Sequence, residues 1–140
     1  SVGELVQEYE ASLRELTFNS KLIINNLTII AGEEQQASGS LVAAIEKHIL
    51  LSPMHCKLPA MYLMDSIMKN IGEPYTSAFG RNIAQVFAGA LKGAGPDERR
   101  SLQKLASTWK DLVPAVALGQ IHAQLAAQAG PPAAAMGAAV

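Results

Sequence analysis

The 140-residue chain is poor in most of the residues that would classify it at a glance. Its single cysteine, Cys56, excludes an internal disulfide framework and suits a reducing compartment. Charged residues make up only 16% of the chain, below the ~25% usual in globular domains. With 11 Lys+Arg against 12 Asp+Glu the net charge is −1, which argues against an indiscriminate nucleic-acid binder, since those are strongly basic. Aromatic residues are also scarce, at 5%. No apolar run approaches the ~20 residues that span a bilayer, and the first residues lack a signal-peptide pattern. Strand-like alternation, a nucleotide-loop glycine motif and internal repeats are missing too. What is plentiful is apolar residues, at 49%. A chain of this length is one domain, able to bury about 70% of its unfolded surface without metal or disulfide staples.

Proline breaks a helix interior but is tolerated in a first turn, so Pro53, Pro59, Pro74, Pro96 and Pro114 should each mark a boundary. The pieces between them carry helical hydrophobic spacing. Val2, Leu5, Val6, Tyr9, Leu13 and Leu16 form one stripe. Asn19 or Ser20 then caps a second helix running through Ile30 and ended by Gly32, apolar on most sides and so expected to be buried. A third helix fits between Ser38 or Ser40 and Leu51, and a fourth from about Leu58 to Ile71, ending before Gly72. The fifth follows Pro74 and carries Phe79, Ile83, Val86 and Phe87. Pro96-Asp97-Glu98 opens another, with acids at the positive end of the helix dipole and a Leu102, Leu105, Trp109, Leu112 stripe. A last helix follows Pro114. From Ala129 onward the chain is Gly, Pro, Ala and little else, which reads as a linker or tail. The fold class is all-α, with seven or eight short helices.

Catalysis and metal binding find no support. His48, His55, His122 and Cys56 make no four-ligand set. The adjacent His55 and Cys56 would point about 100° apart on a helix, with nothing to mark an oxyanion hole. No cofactor is expected, and His48 reads as a core-edge residue of an amphipathic helix.

The fourth helix is more informative. At about 100° per residue, Tyr62, Asp65, Ser66, Lys69 and Asn70 share one strip about 140° wide. Asp65 and Lys69 stand at i,i+4 in the order that favours a pair. The plain reading is a solvated ion pair on a polar face. The functional alternative is the wall of a shallow groove that hydrogen-bonds a peptide, with Tyr62 and Ile67 as apolar edges. Cations stand singly: Lys21 just after a cap, in a setting that favours an anion, and Arg100 and Lys104 four residues apart, where a phosphate would turn mutual repulsion into attraction. Their plain reading is again a solvated face.

The segment Tyr62-Leu63-Met64-Asp65-Ser66-Ile67-Met68-Lys69-Asn70-Ile71-Gly72, followed by Pro74-Tyr75, resembles the signature of the CTD-interacting domain, which binds the C-terminal heptad-repeat tail of RNA polymerase II. Leu16-Thr17-Phe18-Asn19-Ser20-Lys21 is similar to the N-terminal motif of the branch found in a pre-mRNA cleavage factor IA/II subunit, which couples 3′-end processing to termination. Ser107-Thr108-Trp109-Lys110 falls where the family carries a tryptophan on its penultimate helix. The resemblance covers about residues 1–128, leaving 129–140 as the tail.

It implies a right-handed superhelix of eight α-helices, like the VHS and ENTH trafficking domains. The domain would be a non-enzymatic, nuclear binding module. It would dock the heptad YSPTSPS in a groove, bent into a β-turn around a Ser-Pro step and commonly phosphorylated on the second-position serine. By the same resemblance Asp65 accepts a hydrogen bond from the heptad tyrosine, Ser66, Ile67 and Asn70 line the groove, and Tyr62 packs on the docked segment. Asn19, Ser20 and Lys21 border it. Lys104 stands where strong phosphate readers carry arginine, and a point charge lacks arginine's bidentate fork. Together with Arg100 it would give modest phosphate selectivity, with avidity across many heptads supplying affinity. Other cleavage and polyadenylation factors would bind elsewhere on the parent protein.

A membrane-trafficking adaptor of VHS or ENTH type is the rival reading. Against it, Val2–Leu16 holds Glu4, Glu8, Glu10 and Glu15 beside a single Arg14, which is unfavourable near anionic lipid. Direct RNA contact is secondary, because neither a basic stripe nor aromatic richness supports it.

Overall fold

A computed structural model describes residues 1–128, so the Ala/Gly/Pro-rich segment expected as a tail lies outside the described residues. Those residues form eight α-helices and one short 3-10 turn, with no strand among them. The helices are α1 (Val2–Glu15), α2 (Lys21–Glu33), α3 (Ser38–Leu51), α4 (Met54–Asn70), α5 (Tyr75–Gly80), α6 (Ile83–Leu91), α7 (Pro96–Ala106) and α8 (Ala115–Gln128). No helix among them is long and apolar enough to cross a membrane.

Local chemistry accounts for most boundaries. Ser20 caps α2, its Oγ accepting from the Ile23 N–H at 3.2 Å. Pro96 occupies the first turn of α7, and Glu98 reaches back to accept from the Gly95 N–H at 3.3 Å. Gly72, at φ 79°, closes α4 in the left-handed region that favours glycine.

Four sequence expectations are corrected. Pro59 lies inside α4, which starts at Met54 rather than near Leu58. The lost N–H leaves the His55 carbonyl without its intrahelical donor; His55 is exposed, so that turn is open to water, while the Pro59 ring is buried. Gly32 does not end α2; a Cβ there would meet the Ile71 Cδ1 at 2.8 Å, so its smallness serves the close approach of the chain after α4. The segment after Pro74 is two helices, broken at Arg81-Asn82, and α6 turns away to pack on α3 and α8. Finally, α2 is not buried all round: Leu22 and Ile29 are 72% and 57% exposed, because α2 packs on α1 and α4 and its outer face has no cover among the described residues.

α4 is the central strut, packing on α2, α3, α5, α6 and α7. Its Ala60, Met61, Leu63, Met64, Ile67 and Met68 are all essentially sealed from solvent. Two tyrosines tie flanking helices to α2. Tyr9 donates to the Leu27 carbonyl at 3.0 Å, and Tyr75 donates to that of Ala31 at 2.7 Å. Burial, with a smaller push from Glu34, raises the Tyr75 hydroxyl to about 12, and burial lifts Tyr9 further, so both remain neutral donors.

Candidate peptide-binding groove

The polar strip of α4 is half-exposed between α2 and α7, and its side chains are tied to both neighbours. On one side the Ser66 and Thr28 hydroxyls lie 2.8 Å apart, linking α4 to α2. Thr28 already donates its one hydroxyl proton to the Ile24 carbonyl at 2.7 Å, so Ser66 is the donor between the pair. Asn70 Nδ2 donates in turn to the Ser66 carbonyl at 2.9 Å and to its Oγ at 3.3 Å. The chain of bonds therefore has one direction, from Asn70 through Ser66 and Thr28 to the α2 backbone. Because both amide bonds use Nδ2, Asn70 Oδ1 is left as an acceptor on an exposed residue.

The other side is held by Asp65. Its Oδ1 accepts from the Trp109 Nε1 at 2.8 Å and pairs with Lys69 Nζ at 2.8 Å. Lys69 also donates to the Thr108 Oγ1 at 2.8 Å, which binds α4 to the turn after α7. Asp65 keeps 15% side-chain exposure, and Oδ2 has no partner among the described residues. Trp109 itself is fully buried, edge-on to Phe87 with ring centroids 5.8 Å apart. It lies just past the C-terminus of α7 rather than on that helix.

At one end of the strip an open hollow of about 370 Å³ lies between the α1–α2 connection, α4 and α7. Phe18, Asn19, Leu58, Pro59, Tyr62 and Glu98 line it, and Phe18 is 64% exposed. Neutral hydrogen-bonding groups thus continue into an apolar depression, which suits an uncharged, hydroxyl-rich peptide with occasional rings.

Most of the residues singled out in the sequence come together here. Tyr62, Asp65, Ser66 and Asn70 share the wall, Asn19 and Tyr62 reach the hollow, and Ser20 and Lys21 stand at the α2 N-terminus. Ile67 is a correction: at 0% exposure it lies beneath the wall and offers no surface to a ligand. Arg100 is on α7, paired with Asp97 and projecting about 160° from Glu98, so its charge is spent locally and faces away from the hollow. Lys104 is exposed with no ion-pair partner among the described residues. Phe18, Leu58, Pro59, Thr28 and Trp109 were not singled out as site residues. For Phe18 and Thr28 the signal was available: a large ring just before a helix cap, and a hydroxyl set between Leu27 and Ile29-Ile30.

Among the described residues, a helical scaffold with an ordered polar wall beside an apolar hollow has the build of a peptide-docking interaction module. The CID domain family matches residues 7–112, and the chain belongs to that family. It is 49% identical over 107 residues to an uncharacterised protein of Schizosaccharomyces pombe, covering 76% of this chain and 17% of that one. Similarity to Polyadenylation and cleavage factor homolog 11 of Caenorhabditis elegans is 36% over 111 residues, covering 78% of this chain and 14% of the relative. This chain therefore spans less than a fifth of those curated relatives. Among solved structures, the RPR of Pcf11 superposes with a TM-score of 0.82 at 34% identity, over 86% of this chain and 97% of that chain. The CTD-interacting domain of Seb1 from S. pombe shares the fold, with a TM-score of 0.78 at 20% identity over 87% and 96% of the two chains.

Proposed function

We propose that the wall formed by α4, with α2 and α7 as its flanks, binds the heptad-repeat tail of RNA polymerase II and thereby brings a nuclear pre-mRNA 3′-end processing factor to the transcribing enzyme. Family membership and the similarity to cleavage and polyadenylation factors support the class of ligand. The observation that carries the reading is the held Asp65 carboxylate. Trp109 and Lys69 occupy Oδ1 and fix the group, so Oδ2 is a preorganised acceptor for the phenol of the heptad tyrosine. Asn70 Oδ1 takes a peptide N–H. Tyr62 and Phe18 offer faces to the proline and tyrosine rings in the hollow. Lys21 and Lys104 sense phosphate on the second-position serine as single point charges, giving modest selectivity that accumulates across repeats.

Truncating Asp65 to alanine is a poor test, because it would leave the buried Trp109 N–H unpaired and destabilise the fold. Asp65→Asn retains an acceptor for Trp109 while replacing the other oxygen with a donor. Titrating heptad peptides carrying Tyr or Phe at the first position isolates the contact. The wild type should prefer Tyr by about tenfold, the worth of one charge-assisted hydrogen bond, and Asp65→Asn should lose that preference. A wild type that binds the two peptides equally overturns the Asp65 assignment. Lys104→Glu should erase any preference for the phosphorylated peptide; an unaltered preference removes Lys104 from the site.

A further inference from the structure

The face formed by α1 and α3 takes no part in this groove, yet it carries a second concave feature. Hollows of about 250 and 410 Å³ lie along it and share Glu10, Ala44 and Lys47, so they make one furrow between the two helices. Gly3, Val6, Ala43 and Ala44 give it a small apolar stretch of floor, bordered by Ser40 and by Glu10 and Lys47 where the two hollows meet. Its end beside the C-terminus of α3 sets two cations, Arg14 and Lys47, against the single half-buried carboxylate of Glu10, so the balance there is positive. Arg14 and Lys47 are exposed there and have no ion-pair partner among the described residues. His48 lines the same end, and its Nε2 is buried without a hydrogen-bond partner in the described structure. The carbonyls that end a helix ordinarily repel an anion. Here Lys57 Nζ covers them, donating to the Ile49 carbonyl at 2.6 Å and the Leu50 carbonyl at 2.9 Å. Leu51 stands exposed at the rim.

We infer that this furrow seats an amphipathic helix of a partner protein, its apolar stripe on the Val6–Ala44 floor and its acidic end against Arg14, Lys47 and His48. The length agrees: from Val2 to Arg14 the α1 wall rises about 18 Å, some three helical turns. Small floor residues let a third helix axis come close, and unpaired cations at one end select an acidic partner and fix its direction. The chain's own residues 129–140 contain no acid and cannot supply that end. The proline-rich heptad cannot either, since it does not form a helix. An apolar floor with no aromatic stacking platform favours a helix over RNA. The furrow is therefore a second docking site, independent of the heptad groove.

The test uses the isotope-labelled 140-residue chain and three probes. The first is an acetylated, amidated peptide of about three helical turns with a leucine stripe and a glutamate-rich end. The second is its lysine-for-glutamate counterpart, and the third is a single-stranded oligouridine. The glutamate peptide should shift amides of residues 3–14 and 40–52 and bind about tenfold more tightly than the lysine peptide. The surface variant Arg14→Glu/Lys47→Glu should lose that margin while binding the heptad peptide as the wild type does. Ala43→Gln, which fills an exposed floor position, should weaken the glutamate peptide with both cations intact. Equal binding of the two peptides, or no shift on this face, overturns the proposal. Oligouridine shifting the same amides with the same dependence on Arg14 and Lys47 would reassign the face to RNA. Shifts that grow with protein concentration alone would reassign it to a second copy of the chain.

Discussion

The two sides of the molecule handle polar groups in opposite ways. Along α4 the strip side chains Asp65, Ser66, Lys69 and Asn70 are held by partners from α2, α4 or the turn after α7, and each bond has a defined direction. Between α1 and α3, Arg14, Lys47 and Glu10 stand without ion-pair partners among the described residues, beside a stretch of apolar floor. The first arrangement costs side-chain freedom at folding and leaves two oriented acceptors, Asp65 Oδ2 and Asn70 Oδ1, so it discriminates by hydrogen-bond geometry. The second leaves its charges hydrated and mobile, so it discriminates by sign of charge and weakens with salt. Stability and specificity are therefore coupled on the groove side and separate on the furrow side.

The largest effect that would break this contrast lies at Trp109. Trp109→Ala opens a cavity beside Phe87 and frees the Asp65 clamp, and should cost about 3–5 kcal/mol in urea unfolding while weakening heptad binding. If stability falls and binding of the residual folded protein is unchanged, the clamp is not needed for recognition. Ser66→Ala should cost about 1 kcal/mol, since Thr28 keeps its bond to the Ile24 carbonyl and nothing buried is orphaned. It should still loosen Asn70, which is read as a faster-dissociating heptad peptide.

The smallest effect is on the furrow side. Burial, then Arg14, then Lys57 hold the His48 imidazole below its usual pKa of about 6.5. The folded state thus binds fewer protons than the unfolded chain. The His48 contribution is complete above pH ~6.5 and is lost as the pH falls from there towards the folded value. Unfolding midpoints measured from pH 7.5 to 5 should fall less steeply for His48→Gln than for the wild type. Parallel slopes would show that His48 is solvated alike in both states.

Helix existence, a cap for α2 at Asn19 or Ser20, the Pro96 start and the polar strip of α4 were legible because caps and helical periodicity act over a few residues. The Asp65–Lys69 pair is an i,i+4 contact and belongs to the same local class. Ile67 projects about 60° beyond the strip, on the apolar side, so its complete burial follows the helical period and only its expected contact with a ligand fails. The other misread positions depend on what packs against a helix from elsewhere. Pro59 reads as a breaker, yet α4 begins one turn before it at Met54 and continues through it, with the ring packed into the interior. Leu22 and Ile29 read as core, yet only one flank of α2 is covered.

The low charge and short apolar stripes alone were enough to determine an all-helical domain with few placed cations, because secondary structure follows from local propensity and amphipathic period. Only the tertiary structure decided that the Trp109 indole would cross 44 positions of sequence to fix Asp65, and that Thr28 would orient Ser66 across 38. A hydrogen bond's direction depends on where the neighbouring donors and acceptors already point, and that is set by packing rather than by spacing along the chain.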